Sequence, residues 1–230
     1  QEITKSETPA HTLSPVLSAR YALKWQHCTL VAMFVVMFMY VSYLPLSSVG
    51  TWRHATIGEA IISQGQLPTA EPALPLAEGM RWFAASWGGD VLTAFVHRIG
   101  GTEAVSSLLA VTLLLTLLIY GRIAYLLTER KRFVIFTVAA LFAANWSRLA
   151  IARPELLGVL CLAGVLWLLL HESKDKSSSA RWMWLALPSM FVVWANLDAS
   201  VVFGVAVLGC WALGTAIDEA INANAWRVSR

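Results

Sequence analysis

Six apolar stretches set what this chain can fold into. They fall at about 28–47, 104–127, 133–147, 155–171, 182–197 and 199–217. Five are long enough, or nearly so, to cross a bilayer, and one is shorter; about 20 apolar residues match the hydrocarbon core. Inside that core no water satisfies an open backbone, so repeated crossings are made by helices. The expectation is an all-α, polytopic transmembrane bundle of about six spans. Composition agrees, with 57% apolar and 13% charged residues where a soluble domain carries about 25% charged. A net charge of +3 gives no reason to expect a nucleic-acid partner.

Residues 1–26 read as a polar tail, 27–217 as the transmembrane domain and 218–230 as a second tail. The chain opens on Gln1 and closes on Trp226-Arg227-Val228-Ser229-Arg230 directly after a span, which suits a piece of a longer protein. The three cysteines, Cys28, Cys161 and Cys210, lie in apolar runs without CxxC spacing and read as packing residues. The connection 46–102 is the long one, and connections of that size usually carry function.

Within it, 82–99 is amphipathic. On a helical wheel Ser86, Asp90, Thr93 and His97 share one face, and Phe83, Trp87, Val91, Ala94 and Phe95 the other. That pattern predicts a helix lying in the membrane interface. Trp87, Val91 and Phe95 would turn to lipid or protein, and Asp90 and His97 to water or a cleft. The positive-inside rule supports the arrangement. With 82–99 on the surface and the N-terminus cytoplasmic, the inner side holds Lys5, Arg20, Lys24, Arg130, Lys131, Arg132, Lys174, Lys176, Arg181, Arg227 and Arg230. The outer side holds only Arg53, Arg81, Arg98, Arg148 and Arg153. Both termini are therefore expected in the cytoplasm.

That topology gathers His54, Glu59, Glu71, Asp90, His97, Arg148, Arg153, Glu155 and Asp198 on the outer face. Charges near the membrane boundary pair with one another or line a cavity. One reading makes Arg153, Glu155 and Asp198 ion pairs that close the bundle. The other makes an outward cleft for a lipid-borne anion, with Arg148 or Arg153 on its phosphate. No metal site is expected. Asp90 and His97 stand two helical turns, about 10 Å, apart, and HExxH and clustered His/Cys spacings are absent from the sequence.

Several segments together carry a family resemblance. The first span is followed by Thr51-Trp52-Arg53-His54-Ala55-Thr56-Ile57-Gly58-Glu59-Ala60-Ile61, then by Gly65-Gln66-Leu67-Pro68-Thr69-Ala70-Glu71-Pro72. Arg153-Pro154-Glu155 opens a later span, and Trp194-Ala195-Asn196-Leu197-Asp198-Ala199-Ser200 joins two more. Over roughly 27–217 this resembles the amino-terminal membrane part of bacterial GT-C-fold glycosyltransferase-like proteins, the relatives of protein mannosyltransferases and aminoarabinose transferases. It resembles still more closely large bacterial membrane proteins with motifs such as "DTWWHLATG" and "WANLHGSF".

The resemblance implies a bacterial cytoplasmic membrane and sugar transfer from a polyprenyl-phosphate donor. Carried over, His54 matches the loop histidine, Glu71 the aspartate before proline, and Arg153 the arginine opening a later span. Two positions depart from the pattern: Gly50 stands where the first acid belongs, and Asp198 where "NLHG" has histidine.

Two functions follow. One is a non-catalytic integral membrane subunit of a larger complex, built on a GT-C-like scaffold and partnered by lipids and other membrane proteins. The alternative is a polyprenyl-phosphate-sugar-dependent transferase, with Glu71, Asp90 and His54 as its chemical groups and Arg153 and Arg148 on the lipid phosphate. The first expects no cofactor; the second expects the bound polyprenyl-phosphate lipid.

Overall fold

The computed structural model describes residues 25–44, 49–69, 85–144, 155–174 and 180–228. Every regular element among them is helical: α1 (Trp25–Ser42), α2 (Val49–Gln64), α3 (Trp87–Thr128), α4 (Lys131–Ala144), α5 (Leu156–Lys174), α6 (Ala180–Leu197) and α7 (Val201–Val228). Each of the six apolar stretches carries a helix. Three helices, α1, α3 and α7, are long and apolar enough to cross a membrane, and Leu156–His171 and Met183–Leu197 are shorter apolar helices. The chain is thus an all-helical protein compatible with embedding in a membrane.

α3 is the spine, packing against α1, α2, α4, α5 and α6. It is one element with two arms. Gly100 (φ −142°, ψ 19°) and Gly101 (φ 65°, ψ −155°) break the helical path. Gly101 sits where an L side chain is strained, so the elbow needs glycine. The elbow falls at the boundary that the sequence pattern places between 82–99 and 104–127.

Beyond it, Ala110, Leu113 and Leu117 of α3 meet Met37 and Val41 of α1 and Val138 and Phe142 of α4 in one core cluster. A second cluster joins Val165 and Leu169 of α5 to Trp194 of α6. Thr112 and Thr116, buried hydroxyls of α3, are satisfied within the helix, donating to the Leu108 and Thr112 carbonyls at 2.8 Å. Such back-bonding lets a polar residue sit on an apolar helix. Ser106 instead donates across to the Ser42 carbonyl of α1 at 3.1 Å.

Two expectations for the long connection are corrected. It holds a second helix, α2, whose buried face includes Thr51 and Gly58 and so carries little apolar signal. The buried residues of α2 are Thr51, Ile57, Gly58 and Ile61, a stripe at helical spacing. The surroundings of Asp90, expected to be water or a cleft, also differ. The side chain does not face water: α2 lies over the polar side of α3's first arm, and Asp90 is 1% exposed, with Thr93 and Ala94 buried beside it. Trp87 and Phe95 remain exposed, as the wheel suggests.

Candidate functional site

The closest approach of α2 and α3 is at Gly58. A Cβ there would overlap the Asp90 main-chain carbonyl and lie 2.8 Å from the Ala94 Cβ. Hydrogen as the side chain is what lets the two backbones touch, and the touching brings flanking polar groups into reach. His54 lies one turn before Gly58, and its Nδ1 bonds Asp90 Oδ1. The ring is partly open, 22% exposed, while its carboxylate partner is not. Asp90 also lies in the first turn of α3, where the helix dipole favours a negative charge. Its Oδ2 is buried and has no hydrogen-bond partner among the described residues.

Farther along, Arg98 grips Glu59 with two prongs, Nε to Oε2 at 2.8 Å and Nη2 to Oε1 at 2.5 Å. The guanidinium hydrogen bond holds the Glu59 carboxyl below its ordinary value, and the same bond raises Arg98. His97 stands edge-on to Trp52, with ring centroids 5.8 Å apart at 84°.

The start of α3 also meets the end of α6. A Cβ at Gly88 would lie 2.8 Å from the Asn196 carbonyl oxygen, and one at Gly89 would overlap that of Leu197. Three segments distant in sequence therefore converge at one end of the molecule: the α2 motif around His54, Gly88-Gly89-Asp90, and Trp194–Ser200.

The last of these forms a tight junction. Ser200 N–H donates to Asp198 Oδ2 and Trp194 Nε1 donates to Ser200 Oγ, each at 3.0 Å. Gly158 of α5 sits directly under the Asp198 carboxylate and the Ser200 hydroxyl. Asp198 accordingly serves as a helix-start acceptor for α7. Among the described residues it forms no ion pair.

Of the residues singled out in the sequence, His54 and Asp90 are brought together, with Trp87 and Val91 on the same arm of α3 and Phe95 one turn on. Glu71, Arg148 and Arg153 lie outside the described residues. Asp90 and His97 do not share a site. Sequence reasoning missed Gly58, the Glu59–Arg98 fork and the buried Trp194. The i, i+4 spacing of His54 and Gly58 was the signal available for the first.

Among the described residues, groups of three or more metal-ligating side chains are absent. An Asp–His pair with an open ring edge can orient an imidazole and pass a proton, or it can simply lock two helices. No family model, curated protein or solved structure matches this chain.

Proposed function

We propose that this chain is a non-catalytic integral membrane subunit of a larger complex, built on a GT-C-like scaffold. We place it in a bacterial cytoplasmic membrane, with six spans and both termini in the cytoplasm. One observation supports this reading above others: two ion pairs close between α2 and α3. His54 closes on a buried Asp90 and Arg98 forks Glu59, so these groups brace two helices instead of lining an open cleft. The apolar face of α7, with Val202, Phe203, Val205, Leu213 and Ile217 exposed, leaves room for lipid and for another subunit's helix.

The test is purification in mild detergent with mass measurement, alongside transfer assays with polyprenyl-phosphate-linked sugars. A stoichiometric membrane partner, with no transfer by the isolated chain, is the expected result.

The transferase reading keeps one observation in its favour. The imidazole of His54 is held through Nδ1 by a buried carboxylate, which presents Nε2 as a base in the manner of oriented catalytic histidines. In that reading Glu71 or Asp90 supplies the acid, and Arg148 or Arg153 holds the donor phosphate. Sugar transfer that disappears in His54→Gln with folding intact would establish the transferase and remove the scaffold reading.

A further inference from the structure

A different end of the molecule carries a ligand site. Between α1, α3 and α4 lies a cavity of about 370 Å³, at the lower end of the roughly 300–1,000 Å³ typical of small-ligand sites. Its polarity changes in the same direction along all three walls. On α1 it runs from His27 to Phe34, on α3 from Arg122 back to Leu118, and on α4 from Lys131 to Val138. The helix ends of all three lie together at the polar mouth: α1 begins at Trp25, α3 ends at Thr128 and α4 begins at Lys131.

Arg130 and Arg132 border an adjoining depression with Lys131. Lys131 Nζ reaches His27 Nε2 at 3.1 Å, bridging α4 to α1 across the mouth. Among the described residues, no ion pair to an acid engages Arg122, Arg130 or Arg132. Glu129 stands next to this cluster in sequence and leaves it net positive. Two of the three helix ends are N-termini, whose dipoles add to the attraction for an anion.

The geometry points to a binding site for one anionic phospholipid. Its phosphate would sit between Arg122 and Lys131, and an acyl chain would run along Leu30, Phe34, Leu118 and Val138. A polar-to-apolar gradient repeated on three walls fits an amphiphile, and the cations select its charge. Basic pockets at helix ends recognise anionic headgroups in this way. The inference rests on membrane embedding and on neither functional reading above.

The whole chain is reconstituted in nanodiscs of phosphatidylcholine with an equal share of phosphatidylglycerol, and retained lipid is counted by native mass spectrometry. Phosphatidylglycerol should be retained over phosphatidylcholine by about tenfold or more. The double variant Arg122→Gln/Lys131→Gln should abolish a roughly tenfold preference, because both cations that would hold the phosphate are lost. Ile135→Trp, which fills the tail end, should lower retention of both lipids. Inorganic phosphate alone should leave thermal stability unchanged.

Equal retention of the two lipids by the unaltered protein overturns the proposal even if the variants fail to fold. So does an undiminished preference in a folded double variant, which would leave the cluster as a topology signal only. Stabilisation by inorganic phosphate equal to that by phosphatidylglycerol would make this a bare anion site and also overturn it.

Discussion

The α2–α3 contact and α7 are built on opposite rules. Between α2 and α3 one charged pair points inward and one lies outside: Asp90 is buried with His54 partly buried against it, Glu59 and Arg98 pair at the surface, and Trp87 and Phe95 are left outside. On α7, Val202, Phe203, Val205, Leu213, Ile217 and Ile221 are outside. Its foot, from Val201 to Trp211, is packed on one side: Gly204 abuts the Trp194 ring, and Val201, Val207, Leu208 and Trp211 flank the α5–α6 cluster. In water both choices would be costly, since exposed apolar area costs about 25 cal/mol per Å². For α7 a hydrocarbon surrounding would remove that cost, because apolar side chains are already solvated there, while between α2 and α3 the buried carboxylate is offset by its pairing with His54. The contrast teaches that polar contacts and glycine-mediated approach set the α2–α3 contact alongside the burial of Ile57, Ile61 and Ala94.

The comparison can be broken first at the foot of α7. Trp194→Ala removes a fully buried ring and its hydrogen bond to Ser200. A loss of about 3–5 kcal/mol is expected, read as thermal unfolding in detergent; a loss below about 1 kcal/mol would show that lipid alone positions α7. Next is His54→Ala, which leaves the buried Asp90 carboxylate without its partner and should cost about 3 kcal/mol. His54→Ala combined with Asp90→Ala should recover part of that loss, and additive losses would contradict the pairing.

Gly58→Ala comes third. The added methyl meets main chain rather than a yielding side chain, so about 1–3 kcal/mol is expected, with faster hydrogen exchange confined to α2 and the first arm of α3.

Smaller still is the pH effect at the Glu59–Arg98 fork. Arg98 holds Glu59 below its ordinary value of 4.5. The fork's contribution is therefore complete above that value and fades as pH falls through the lower, folded value. Carboxyl-labelled NMR should find Glu59 titrating below 4.5 and moving upward in Arg98→Gln; no movement would separate the two residues. The smallest effect belongs to α7. Leu213→Ala should change stability in detergent by less than about 0.5 kcal/mol, while loss of a co-purifying subunit in the same variant would sharpen the scaffold reading.

The helices themselves were legible in the sequence because long apolar runs leave few alternatives. The boundary between the two arms of α3 was legible as the change of pattern between 82–99 and 104–127, but the glycine elbow at Gly100-Gly101 was not read from it. α2 was not, because its buried face is made of Thr51, Gly58 and two isoleucines, and a glycine that packs backbone to backbone has no hydrophobic signature. Asp90 was placed on the correct face of its helix but given the wrong neighbour. An amphipathic wheel separates two sides and does not say which one another helix will cover. Asp198 accepts a hydrogen bond from Ser200 N–H, a local turn that spacing alone did not reveal, and Arg153, named with it in the ion-pair reading, lies outside the described residues.

The second arm of α3 has a consequence of its own. From Thr102 to Thr128 it runs without interruption, about 40 Å at roughly 1.5 Å per residue. That length is close to the ~40–45 Å of a bilayer with its headgroup zones. The glycine elbow and the left-handed Glu129 (φ 56°) fix where this rod begins and ends, so it cannot lengthen or shorten to follow its surroundings. In a thinner bilayer it would have to lean, and in a thicker one the lipid around it would have to thin. In a membrane such a rod would favour one thickness, with departures from it met at modest cost by tilt or by thinning of the lipid.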